Sequence, residues 1–113
     1  MQLQSELVGG VRVVVLPGPR LDAEHALAFK EAMTPLLSPG ARLVLDCSPV
    51  EFVDSSGLST LIACLRGLRA VGGELRLGAM SRSVAAVFEL VRLDRVFVIR
   101  QDVQTCLAEF ADA

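Results

Sequence analysis

The chemically versatile residues of this chain gather in Asp54-Ser55-Ser56, where a carboxylate and two hydroxyls stand between the apolar pair Phe52-Val53 and a long amphipathic pattern that begins at Gly57-Leu58. A helix starting here leaves backbone N–H groups without intrahelical partners and brings the positive end of its dipole beside the hydroxyls. A serine in that place can cap the helix, attack as a nucleophile or accept a phosphate. On spacing alone the cap comes first, because serine is among the residues preferred there, and Ser55 is the expected cap.

The rest of the sequence narrows the chemistry by what it lacks. No Gly-x-Ser-x-Gly elbow is present, and the single histidine, His25, falls in a predicted helix where a solvated or packed side chain is expected; acyl transfer is excluded. No Gly-rich phosphate loop supports a nucleotide cofactor. Cys47, Cys64 and Cys106 are far apart and odd in number, so they support neither a disulfide framework nor a Cys-x-x-Cys metal site and read as small core residues. The net charge of −2, with Lys30 alone among scattered arginines, speaks against direct nucleic-acid binding. No apolar stretch reaches the roughly 20 residues that span a bilayer, and the amino terminus has no signal-peptide pattern. The expectation is a cytoplasmic protein that does not insert in a membrane, is not an enzyme, and holds no cofactor or metal.

The elements that must position Asp54-Ser55-Ser56 follow from periodicity. At 113 residues, 52% of them hydrophobic and 21% charged, the chain suits one domain over residues 1–113. Gln2 to Val8 and Val11 to Leu16, separated by Gly9-Gly10, read as a β-hairpin. Pro17-Gly18-Pro19-Arg20 interrupts strand character, and Asp22 is placed to cap a helix from Ala23 to about Leu37, with Pro35 weakening its last turn. Leu43-Val44-Leu45 has the all-apolar character of a strand covered on both faces. Leu58, Leu61, Ile62, Leu65 and Leu68 mark a core helix that Gly72-Gly73 ends. Glu74 to Leu77 is a short strand, Ser81 or Ser83 caps a helix with the stripe Val84, Val87, Phe88 and Val91, Val96 to Ile99 is a buried strand, and Asp102 caps a last helix.

These elements define an α/β fold: an N-terminal hairpin, then alternating helices and strands, with a mostly parallel central sheet covered by about four helices. Asp22, Asp46 and Asp54-Ser55 each follow a predicted strand, which places them at the carboxyl edge where such sheets bind ligands and partners. Asp46 resembles the phospho-accepting aspartate of receiver domains, but the late lysine of that site is missing. The β-branched strands exclude a helical acyl carrier protein, despite the similarity of Asp54-Ser55 to its attachment site.

Leu43-Val44-Leu45-Asp46, Phe52-Val53-Asp54-Ser55-Ser56-Gly57-Leu58 and Gly72-Gly73-Glu74-Leu75, with the later Val84–Val91 and Leu93-Asp94-Arg95-Val96-Phe97 segments, together resemble the STAS family of anti-sigma factor antagonists over nearly the whole chain. Asp-Ser-Ser-Gly-Leu is the most specific of these motifs. The resemblance implies that Ser55, directly after the motif aspartate, is phosphorylated by a serine kinase that is itself the anti-sigma factor. It further implies that the unphosphorylated form binds that kinase, and that a metal-dependent serine phosphatase resets the switch. Asp22, Asp54, Ser56, Gly57 and Leu58 are then expected at the partner contact. The chain departs from the family at Gly18-Pro19-Arg20-Leu21-Asp22, where a shorter Gly-Glu-Leu-Asp is usual and Arg20 replaces an acidic residue. The alternative reading is a STAS regulatory or structural subunit of a transporter or signalling assembly, with Ser55 only a cap.

Overall fold

The computed structural model describes residues 1–111. In chain order the elements are β1 (Gln4–Val8), β2 (Val11–Val15), β3 (Arg20–Leu21), α1 (Ala23–Met33), β4 (Arg42–Asp46), β5 (Phe52–Val53), α2 (Ser55–Ala70), β6 (Glu74–Gly78), α3 (Arg82–Leu90), β7 (Val98–Arg100) and α4 (Val103–Ala111). β1 and β2 are the expected hairpin. Its two-residue turn puts Gly9 and Gly10 at φ 56° and 81°, the left-handed region that a type I′ turn demands and that glycine enters without a Cβ penalty.

Five strands form one sheet in the order β1-β2-β4-β6-β7, antiparallel at β1 and parallel elsewhere. Strand alternation sends Leu43 and Leu45 of β4, with Leu75 and Leu77 of β6, toward the core shared by Phe29 and Met33 of α1, the α2 stripe, and Val84 and Phe88 of α3. Val44, Val11 and Val13 face the other way, under Cys106 and Phe110 of α4. β4 is therefore covered on both faces, as its apolar run requires. Leu58, Leu61, Leu65 and Leu68 of α2 are all buried, each worth about 1.5–3 kcal/mol. The helix ends as a Schellman motif: Gly72 N–H donates to Arg69 O at 3.1 Å and Gly73 N–H to Leu68 O at 2.9 Å.

Three boundaries differ from expectation, each for a local reason. α1 stops at Met33 rather than near Leu37, and Pro35 sits in a 3-10 turn over Thr34–Leu36, since it can supply no N–H to an α-helical bond. The expected strand over Val96 to Ile99 begins at Val98. Residues Leu93–Arg95 form a 3-10 turn, and the N–H groups of Val96 and Phe97 both donate to Leu93 O, so neither can join the ladder. Phe97 is still buried, edge-on to Phe88 with centroids 5.6 Å apart. Val91, expected on the buried stripe of α3, is exposed, because the helix stops at Leu90 and Arg92 turns the chain at φ 61°.

A second, two-stranded parallel sheet was not foreseen. β3 pairs with β5, Arg20 opposite Phe52 and Leu21 opposite Val53. Each strand feeds directly into a helix, so the register sets the starts of α1 and α2 side by side.

Candidate functional site

The site is built on those paired helix starts. Leu21 and Val53 are partners in the small sheet, so the residues after them, Asp22 and Asp54, fall at matching positions one residue before α1 and α2. Their side chains do different work. Asp54 Oδ1 accepts the Gly57 N–H at 3.0 Å and caps α2, while its Oδ2 accepts the Ala23 N–H at 3.1 Å and caps α1 from across the sheet. One carboxylate thus serves two helix dipoles.

This corrects two expectations. Ser55 is the first residue inside α2 and not its cap, since Asp54 fills that role one position earlier. Asp22 stands at the cap position of α1, but its side chain makes no cap bond. Its oxygens are taken by Arg20 Nε at 3.0 Å and by His25 Nδ1–H at 2.7 Å. These two hydrogen bonds, Arg20's first and then His25's, hold the Asp22 carboxyl below its ordinary value. Asp22, Glu24 and His25 are close enough to suggest a metal cluster, yet both Asp22 oxygens already accept hydrogen bonds, from Arg20 Nε and His25 Nδ1–H.

Ser55 is exposed and Ser56 half-buried, and neither hydroxyl has a hydrogen-bond partner among the described residues. Gly57 and Leu58 are buried. A Cβ on Gly57 would lie 2.2 Å from Leu21 O and 2.9 Å from Val53 Cγ2, so glycine is what lets α2 lie against both strands of the small sheet. Gly57 and Leu58 thus lie beneath the surface and set the backbone that carries Ser55 and Ser56. The Asp46 carboxylate is engaged in its own turn, where it accepts Ser48 N–H at 3.0 Å.

Arg20 is the residue whose role was not anticipated. Its guanidinium lies 4.1 Å over the ring of the half-exposed Phe52 while bonded to Asp22, covering the carboxylate with a cation at the rim of the site. The departure at Gly18–Asp22 was the signal, but the stack depends on the β3–β5 pairing. The three thiols lie in the interior, where burial pushes Cys47 up to about 12 and Cys64 to about 11, leaving them unsuited to nucleophilic work.

A mixed sheet with helices on both faces, carrying an exposed serine in the first turn of a helix whose capping carboxylate also caps its neighbour, defines a small α/β domain. The chain belongs to the STAS domain family, whose model matches residues 2–106. A Thermotoga neapolitana homolog of TM1081, a candidate anti-sigma factor antagonist, is 29% identical over 99 residues, covering 86% of this chain and 88% of that one. The crystal structure of an anti-sigma factor antagonist from Mycobacterium paratuberculosis superposes with TM-score 0.83 at 30% identity, over 96% of this chain and 92% of the other. The phosphorylated form of the Bacillus cell fate determinant SpoIIAA shares the fold at TM-score 0.70 and 22% identity, over 96% and 98% of the two chains. No helix among the described residues is long and apolar enough to cross a membrane.

Proposed function

We propose that this chain is a phosphorylation-switched anti-sigma factor antagonist. Its unphosphorylated form binds a serine kinase that is also the anti-sigma factor, Ser55 accepts the phosphate, and a metal-dependent serine phosphatase removes it. The observation that carries this reading is the place of Ser55: exposed, uncommitted among the described residues, and first in a helix whose start is held by a neighbouring carboxylate. Phosphate adds about −1.5 to −2 charge and three acceptor oxygens. The helix dipole offsets an exposed anion at such a terminus by roughly 0.3–1 kcal/mol, so the fold tolerates the group. A partner meets a different surface. Beside Asp54 the new charge adds to an existing one, and burying both in an interface is costly. Ser56 and the rim at Asp22 and Arg20 complete the contact, and Gly57 and Leu58 hold its shape.

The test is incubation with the organism's candidate serine kinase and ATP, followed by mass-spectrometric mapping. A single phosphate on Ser55 is expected; modification elsewhere, or none, overturns the reading. In titrations against the same kinase, Ser55→Ala keeps wild-type affinity and Ser55→Asp weakens binding at least about tenfold, or about 1.4 kcal/mol. Equal affinities would remove the charge switch and favour a regulatory STAS subunit that associates without phosphorylation.

A further inference from the structure

β1 forms one free edge of the five-stranded sheet. Among the described residues it pairs only with β2, and all of its residues, Gln4 to Val8, are exposed. Edge strands are usually blunted by lysine, proline or a bulge, because their unpaired N–H and C=O groups invite another strand. β1 has none of these: its register runs unbroken from Gln4 opposite Val15 to Val8 opposite Val11, Glu6 is its only charge, and Leu7 is 64% exposed.

The phase of the hairpin decides which groups are free. A two-residue turn closes on a hydrogen-bonded pair, here Val8 and Val11, so Val8, Glu6 and Gln4 direct their backbone groups to β2 while Leu7, Ser5 and Leu3 direct theirs to the open edge. Two copies meeting antiparallel about a two-fold axis have three registers to choose from. Centring on Glu6 sets like carboxylates opposite each other. Centring on Leu7 runs Ser5 against Gly9, whose left-handed φ belongs to the turn. Centring on Ser5 is self-complementary: the outward backbone groups of Ser5 meet those of Ser5, Leu3 meets Leu7, and the Gln4 amide opposes the Glu6 carboxylate. Leu3 is already packed against the main core, so a second copy's Leu7 extends that apolar layer. On the other face Gln4 and Glu6 border a groove lined by Val13 and Val15, beside which the opposing strand would lie.

We propose that β1 is a homodimerisation edge, joining two copies antiparallel about Ser5 into one continuous sheet. The contact is small, which makes it a weak, concentration-dependent dimer with Kd on the order of 100 µM.

Sedimentation equilibrium of the full chain from about 10 µM to about 1 mM tests this. The wild type passes from monomer to dimer over that range. Ser5→Pro removes an outward N–H that β2 does not use, and shifts the midpoint upward at least about tenfold with unchanged far-UV circular dichroism. Leu7→Lys does the same through the side-chain layer. Ser5→Cys, whose Cα would face its symmetry mate at about 5.5 Å, oxidises to a covalent dimer, and the buried native thiols do not compete. A wild type that stays monomeric throughout, a folded Ser5→Pro or Leu7→Lys variant that dimerises as tightly as wild type, or a Ser5→Cys variant that forms no disulfide-linked dimer each overturns the proposal.

Discussion

Asp54 links the site to the fold, because its two oxygens close the amino termini of two helices at once. Asp54→Ala removes both caps and is expected to cost about 1–3 kcal/mol in urea denaturation, more than the typical ~1 kcal/mol for a single cap. Asp54→Asn presents one oxygen and one N–H donor to the same two N–H groups, so it keeps one cap and falls between. Equal stability of Asp54→Ala and wild type would mean that water replaces both bonds without loss. Acid sensitivity belongs to the residue scale too. Asp22 is held below its ordinary 3.8 by Arg20 and then His25, Asp102 below 3.8 by Thr105, and Glu109 below 4.5 by Arg100. Lowered carboxyl values contribute stability that is full above the unfolded value and is lost as pH falls through the folded one. The melting temperature should therefore change little from these groups between about pH 7 and pH 5 and fall below about pH 4, with a shallower fall in Glu109→Gln. Thermal melts across that range check the sign. At this scale the sequence told the residue types but chose the wrong member of an adjacent pair, Ser55 over Asp54, because both are preferred caps and the deciding bond to Ala23 spans 31 positions.

At the scale of elements, α2 is fixed by two glycines with opposite consequences. Gly57 lies against Leu21 O, so Gly57→Ala must push α2 off the small sheet and is expected to destabilise by about 1–3 kcal/mol. It should also weaken partner binding by moving Ser55. Gly67 lies mid-helix, and its added Cβ would meet only Leu37 Cδ1 at 3.4 Å, so Gly67→Ala gains helix propensity and stabilises by up to about 1 kcal/mol. Chemical denaturation of the pair separates close backbone contact from propensity; destabilisation of similar size in both would show that the helix has no room on either face. The hairpin and α2 were legible because their signals are local: Gly9-Gly10 between alternating runs, and a four-leucine stripe ending at Gly72-Gly73. The β3–β5 pair was not, since two-residue strands separated by a whole helix and strand carry no periodicity of their own.

For the molecule as a whole, α4 is the one helix among the described residues that seals the second face of the sheet. Phe110 is buried there beneath the guanidiniums of Arg76 and Arg42, whose charged ends lie 4.7 and 5.7 Å from its ring, and Glu109 binds Arg76 and Arg100 beside it. Phe110→Ala is expected to cost about 3–5 kcal/mol, a large part of the ~5–15 kcal/mol available to a domain of this size. A loss of less than about 1 kcal/mol in guanidinium denaturation would mean that α4 is only loosely docked. The site lies on α1, α2 and the small sheet, away from α4, so Phe110→Ala at a temperature where the chain is folded should leave Ser55 phosphorylation intact.

The sequence by itself determined the α/β alternation, the hairpin, the buried faces of the helices, and the helix start at Asp54-Ser55-Ser56. Each of these is written in residues within a turn or two of one another. Only the tertiary structure decided that two helices share one capping carboxylate, that Arg20 bonds Asp22 while stacked on Phe52, and that Gly57 and Leu58 are buried beneath Ser55 and Ser56. Those features arise where β3 meets β5, and a contact between segments some thirty residues apart leaves no local pattern to read.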